Sequence, residues 1–428
     1  MNDILKTYYL TQQTPLIHFQ YNQKGAVLRG SEVKPKLDRF IKKKLNDELK
    51  NEWYIPDTDA LNYKLQIFAT GDCERSNQLG FDTEVYLYRK NHKPEQTKQY
   101  IKSIKNEYRL INEMYFGNQV KQDKDFVENA KKSYKETVFY TKENAVELRI
   151  ICLNNELLMI IDEYIAEFFA VTNFGCRQSK GFGGFTLKKK LPDGTFSEPY
   201  SADKITELLK ENNYKFFYTE ATDCDPLTLA KSVYNAMKTG VNFPNKGRVK
   251  GYLLYQYRKD NGYSEGSEKS FIRAEILPGG YDTKKFDDYK FFRALLGLPE
   301  EYVFYEGKNK ITLNIEGTKK TGEGEKSVSV VQRFPSPVTI KIIGKKVLFI
   351  FNEELFSLIL GEEFRFSCGD KEEKITVPKT FDIDKFIADF IYYFNTEKSD
   401  QQHTEFSPEN LKYLPGCVYK KLKEGNSL

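Results

Sequence analysis

The stretch VELRIICLNNELLMIIDEYIAEFFAVTNFGCRQSKGFGGFTL, residues 146–187, constrains the fold more than any other. Its opening residues, 146–153, are β-branched and apolar, as a strand requires. Residues 155–171 place apolar side chains on most turns of a helix. A loop with Gly175, Gly181, Gly183 and Gly184 follows at 173–184, and FTLKKK begins another strand. The helix comes before the glycines. A phosphate-binding P-loop needs GxxxxGK[ST] leading into a helix, and a dinucleotide fold needs GxGxxG between strand and helix. Neither is present. The glycines permit positive φ and close backbone approach. Successive N–H groups in such a loop can form an anion nest, with Arg177 as a phosphate fork and Lys180 as a point charge. Three readings stay open here: a phosphate site, a nucleic-acid contact, or a turn that binds nothing.

The flanking chain extends the pattern. Residues 6–13 read as a strand, ended by Thr14-Pro15. Leu37, Phe40, Ile41, Leu45 and Leu49 recur at helical spacing in SEVKPKLDRFIKKKLNDELK, with Pro35 suited to its first turn and Ser31 or the residues after it to its cap. Residues 61–70 and 83–90 read as strands, and 91–145 as a lysine-rich insertion. The order is β-α-β-β-insert-β-α-loop-β, close to a ferredoxin-like or RRM-like sandwich. A chain of 428 residues is long for one core. The pattern partly restarts after residue 200, with strands at 214–222, 249–259 and in 332–352. Helices are expected over 225–240, 287–301 and 380–395, and a flexible loop over 316–327. The fold class is therefore α+β, with two ferredoxin-like (RRM-like) domains over 1–200 and 201–428.

Several chemistries are excluded by residue supply. The cysteines, at 73, 152, 176, 224, 368 and 417, form no CxxC, so neither a disulfide scaffold nor a cysteine zinc site is expected. His18, His92 and His403 are far apart, so no histidine metal site or other cofactor is expected. No apolar run is long enough for a membrane span and MNDILKTYYL lacks a signal peptide's apolar core, which points to the cytoplasm. Residues 1–50 carry ten Lys/Arg against five Asp/Glu, an excess equal to the +5 of the whole chain. A basic N-terminal region on a nearly neutral body suits a polyanionic partner, or a solvated helix face.

Three stretches together resemble the RAMP superfamily of CRISPR-associated proteins. TPL at 14–16 with LRGSEVKPKLDRFI at 28–41 is similar to the RAMP entry motif, in which a small loop leads into a basic helix. CRQSKGFGGF at 176–185 is similar to its glycine-rich loop. RALLGLP at 293–299 with RFPSPVTIKII at 333–343 resembles the second half of the large Cmr-type subunits of type III-B effectors, among which the two-domain length is most similar to Cmr subunit one. KGFGGF is also one glycine removed from the core of an RNA-recognition strand, whose aromatic rings stack bases, although here it follows a helix.

The resemblance implies an antiviral RNA-binding subunit without catalytic activity. Its partners would be guide RNA, in its 3′ part, target RNA and other RAMP subunits. It carries onto Arg29, Gly30, Ser31, Lys34 and Lys36 at the entry motif and Arg177, Lys180, Gly181, Gly183 and Gly184 in the loop. Physics supports the first group, because a helix N-terminus offers free N–H groups and a positive dipole to phosphate. Arg29 paired to Glu32 and Ser31 as a cap are the bland alternatives. Two other functions stay open. RAMP nucleases that process precursor guide RNA use a histidine, for which His18 is the candidate, although TPLIHFQ is the setting of a structural histidine. A protein–protein scaffold without RNA contact is the other. Phe334, in RFPSP, is expected to pack under a loop.

Overall fold

The computed structural model describes residues 4–14, 16–17, 28–69, 138–139, 146–175, 177–189, 191–195, 197, 200–222, 226–243, 247–263, 268, 272, 290–298, 301–306, 309–320, 327–331, 334–368, 370–395 and 422–425. The expected strand at 83–90, nearly all of the 91–145 insertion, Cys176 and all three histidines lie outside these residues. The chain divides into two compact units. The first is Met1–Asn212 with the returning segment Ile340–Lys346, and the second is Asn213–Thr339 with Val347–Leu428. Both are α+β with antiparallel sheets. Among the described residues no helix is long and apolar enough to cross a membrane.

The first unit contains β1 (Leu5–Gln12), α1 (Gly30–Leu45), β2 (Lys64–Ala69), β3 (Val146–Ile151), α2 (Asn155–Val171), β4 (Phe185–Lys189) and α3 (Ala202–Glu211). Its sheet has the order β2-β3-β1-β4, and every neighbouring pair is antiparallel. The inward side chains alternate along the strands, with Tyr8, Leu10, Val146, Leu148, Ile150 and Leu187 all buried. Against them α1 sets Val33, Leu37 and Ile41, and α2 sets Leu157, Ile161, Ile165 and Phe168. Each such side chain contributes about 1.5–3 kcal/mol by leaving water. The Asn154 side chain caps α2, accepting from the Leu157 N–H at 2.9 Å.

Helix α1 begins at Gly30, two residues before the start that a Ser31 cap would give. Arg29 is its N-cap in extended backbone, and no side chain caps it. Ser31 is therefore inside the helix, and Pro35 lies in its second turn. Proline is tolerated there because its missing N–H costs only the carbonyl of Ser31, an exposed residue that water reaches. Helix α3 has no counterpart in the sequence reading, although Ser201 caps it by accepting from the Lys204 N–H.

The second unit contains β5 (Lys215–Glu220), α4 (Pro226–Lys238), β6 (Gly240–Phe243), β7 (Gly247–Lys250), β8 (Glu301–Glu306), β9 (Asn309–Lys320), β10 (Ser327–Val331), β11 (Val338–Ile343), whose last four residues belong to the first unit, β12 (Lys346–Phe351), β13 (Glu363–Cys368), β14 (Lys371–Thr376), α5 (Ile383–Asn395) and β15 (Lys423–Glu424). One sheet runs β8-β9-β13-β14 with β10 beside β9, and in another β12, β5 and β15 are neighbours. Phe217 on β5 stacks on Phe349 of β12 at 4.7 Å, and Phe390 of α5 packs against it at 5.6 Å.

Three expectations for this half are corrected. The strand expected over 249–259 stops at Lys250, and Leu253–Tyr257 form a π-helical turn. The Tyr252 ring is drawn into a cluster with Tyr257, Phe386, Phe390 and Tyr393, and that packing overrides its β propensity. The helix expected over 287–301 is, in its described part, a short 3₁₀ turn, Phe292–Leu296, ended at Gly297 with φ 85°. The loop expected over 316–327 begins later, because Gly317–Lys320 pair with β10. Phe334 is buried, as RFPSP suggested.

Candidate nucleic-acid interface

The two basic motifs meet at one end of the first sheet, and strand pairing explains why. In the β1–β4 ladder Gln12 lies opposite Phe185. The end of β1 therefore sits beside the start of β4. Gln13 and Thr14, just after β1, thus meet the glycine loop where it leads into β4, at Gly184.

Side chains of α1 hold the loop. The Glu32 carboxylate accepts from the Gly175 N–H at 2.5 Å. Lys36 Nζ donates to the Asn173 carbonyl at 3.0 Å and to Gln178 Oε1 at 2.6 Å, and stands 4.8 Å from the centre of the Phe174 ring. Burial holds the Lys36 ammonium below its ordinary pKa, and Glu32, 3.7 Å away, pulls it back up. Lys34 faces another way. Its ammonium donates to Asp38 and to the Leu61 carbonyl, both at 2.8 Å, over the Tyr63 ring. Around the helix start, Arg29 and Gly30 are half-buried and Ser31 is exposed.

The glycine loop is closed by its own backbone. Gly175, Gly181 and Gly183 have φ of 77°, 92° and 68°, and Arg177 adopts the same left-handed region at 53°. A Cβ on Gly183 would stand 1.9 Å from the Phe174 carbonyl oxygen. The close approach the glycines allow is thus to the chain itself. The Phe174 N–H donates to the Gly183 carbonyl at 3.0 Å, and the Gly184 N–H donates to Thr14 Oγ1 at 2.8 Å. Gly181, Gly183 and Gly184 lie inside the fold, while Arg177 and Lys180 are half-buried and Gln178 is exposed. Desolvation, and then the neighbouring Arg177 charge, push the Lys180 pKa down to about 7.

The rings of KGFGGF do not form a stacking surface. Phe182 and Phe185 are buried, and Phe185 packs edge-on against Phe174 at 6.1 Å. Among the described strands β4 also lies at an edge of the sheet rather than at its centre.

Lys341 is the residue that the sequence reading missed. It is fully buried, and its ammonium donates to the carbonyls of Phe169 (2.7 Å), Thr172 (2.9 Å) and Phe185 (3.1 Å). Two of these carbonyls end α2, where the helix dipole favours a cation. The third opens β4, so one side chain ties both ends of the loop. Burial lowers its pKa to about 7, and three carbonyls that need all three of its protons oppose that loss. Its only sequence signal is a lone lysine inside the apolar run TIKII.

The arrangement sets the N-terminus of a helix, with its positive dipole end, beside a braced loop carrying two cations, a combination that suits phosphate. Residues 5–241 match the family model described as the Cmr1 N-terminal domain, and residues 249–423 match that of the Cmr1 C-terminal domain. No curated protein and no solved structure matches.

Proposed function

The chain belongs to the Cmr1 family of type III-B CRISPR proteins, and from that premise we propose that it is a non-catalytic RNA-holding subunit of a Cmr effector. It works in the cytoplasm beside other RAMP subunits and grips the backbone of the 3′ part of the guide RNA or of the guide–target duplex. One observation carries the reading. Glu32 and Lys36 lock the start of α1 to the glycine loop, so two motifs more than a hundred residues apart form one platform. Arg29, Ser31, Arg177 and Lys180 are its phosphate contacts, and the glycines shape it. Phosphate contact positions an RNA without reading it, which suits a subunit that must accept any guide. The sheet order β2-β3-β1-β4, with a helix after the first strand and another before the last, supports a ferredoxin-like unit.

The test is filter binding of a guide-like RNA over a salt series. Arg29→Ala and Arg177→Ala should each weaken binding equally for unrelated sequences, and each should reduce the salt slope by about 1. The RNA should be recovered intact. Unchanged binding in both variants overturns the platform, and cleavage by the wild-type chain that His18→Ala abolishes overturns the non-catalytic role.

A further inference from the structure

Helices α1 and α2 cover one face of the first sheet, and the other face carries an ordered set of planar groups. Strand registers place Phe68, Glu147, Tyr9 and Lys188 in one row across β2, β3, β1 and β4. The next row holds Gln66, Arg149 and Thr7, and beyond it stands Lys64. Phe68 is 40% exposed, and the Arg149 side chain 44%.

Glu147 organises this face. One carboxylate oxygen accepts from the Tyr9 hydroxyl at 2.9 Å, and the other is ion-paired with Arg149 Nε. Thus held, the Arg149 guanidinium stands 4.6 Å from the centre of the Phe68 ring. Two rings and a guanidinium plane are fixed on neighbouring strands before any ligand arrives. Among the described strands Lys64 lies on one edge and Lys188 on the other, so three cations and one acid occupy the three rows.

We infer that this face is a base-stacking platform for single-stranded RNA, with Phe68, Arg149 and Tyr9 as the stacking surfaces and Lys64 and Lys188 as phosphate contacts at its edges. The inference rests on the reading of the chain as an RNA-holding subunit. It goes beyond that reading because the proposed grip at α1 and the glycine loop holds phosphates only. Splayed bases stack on aromatic rings and on guanidinium planes, and a four-stranded sheet of this width accommodates two or three of them. Charge decides against a protein partner. The two rows hold Arg149 and Lys188 against Glu147, and the third row adds Lys64 beside the apolar Leu5 and Ile151, so the face as a whole carries an excess of cations that matches a polyanion. The Thr11–Thr186 end does not take part, because Thr186 is buried and receives a hydrogen bond from Gln13.

The experiment is fluorescence anisotropy of the full chain with a labelled twelve-nucleotide single-stranded RNA over a salt series. Phe68→Ala and Tyr9→Leu should each weaken binding by about five- to a hundred-fold, the worth of one stacked base, at an unchanged salt slope. Arg149→Lys, which keeps the charge and loses the plane, should behave like them, whereas Tyr9→Phe should bind almost normally. Thermal melts identify any variant that fails to fold, and Tyr9→Phe with Arg149→Lys then carry the test. Unchanged affinity in Phe68→Ala and Arg149→Lys overturns the platform. Loss of assembly with other Cmr subunits at unchanged RNA affinity overturns it in favour of a protein partner. If the wild-type chain binds no RNA, the proposed function fails and the platform with it. If only Arg29→Ala and Arg177→Ala weaken binding, the platform alone fails.

Discussion

Gly183→Ala should be one of the most damaging single substitutions in the first unit, and Gly194→Ala supplies its control. Both residues have positive φ, 68° and 84°, so alanine costs about 1–2 kcal/mol of backbone strain at either site. The surroundings differ. Nothing lies within 4 Å of a Cβ on Gly194, whereas at Gly183 the Cβ would stand 1.9 Å from the oxygen and 2.7 Å from the carbonyl carbon of Phe174. Backbone has to move to relieve that overlap. The fully buried Phe174 ring packs against Phe168, Phe169 and Phe185, so its main chain has little room. Movement breaks the Phe174–Gly183 bond and strains those from the Gly184 N–H to Thr14 and from the Gln13 N–H to the Gly184 carbonyl. At about 1 kcal/mol for each bond, and with strain included, the loss reaches about 4–5 kcal/mol. That is a large share of a typical domain's stability of about 5–15 kcal/mol. Trp53 is the chain's single tryptophan and is buried in the core of this unit, so its fluorescence during urea unfolding reports on the unit directly. Gly194→Ala should shift the curve slightly and Gly183→Ala severely. Stabilities within about 1 kcal/mol of each other would refute the reasoning, because they would mean that the loop yields freely.

Lys341→Met removes a buried charge but also takes its donor from three carbonyls, two of them, those of Phe169 and Phe185, in buried residues. Orphaned acceptors cost about 1–3 kcal/mol each, so after relief of the charge the net loss should be about 2–4 kcal/mol in the same Trp53 assay; a loss below about 1 kcal/mol would show that the carbonyls find other donors. RNA binding should also depend on pH. Lys180 titrates near 7 in the free protein, and a phosphate beside it raises that value, so affinity is full below pH 7 and falls by up to about tenfold per unit above it. Titrations between pH 6 and 9 check this, and Lys180→Arg should flatten the profile.

Much of the first unit was legible because its signals are local. Leu37, Ile41 and Leu45 recur at helical spacing and are buried, and 146–151 alternates inward and outward as a half-covered strand does. The failures arose where distant partners decide. VKGYLLYQY has the composition of a strand, yet Tyr252 is drawn into rings more than a hundred residues away on α5. GTKK has the composition of a loop, yet the ladder with β10 continues through it. KGFGGF came within one glycine of the core of an RNA-recognition strand, but such a likeness does not say which face of a sheet is covered. The rings point into the core, and the face opposite α1 and α2 takes its rings from β1 and β2 instead.

The candidate site shows the same division. Its residue types were visible at both motifs, because glycines with cations and a basic helix start are local patterns. Their union depends on strand order, which element alternation does not determine. The link between Lys36 and Asn173 exists only because β4 adds to the sheet beside β1, which sets the start of β4 against the end of β1. Had β4 added beside β2, the same two motifs would lie on opposite sides of the sheet, and neither could brace the other. Lys341 reinforces the point from a third place in the chain, since its three acceptors come from the end of α2 and the start of β4. A substitution there should therefore disturb a phosphate grip that the lysine never touches, and a drop in RNA affinity for Lys341→Met, measured under conditions where it remains folded, would separate bracing of the loop from direct contact.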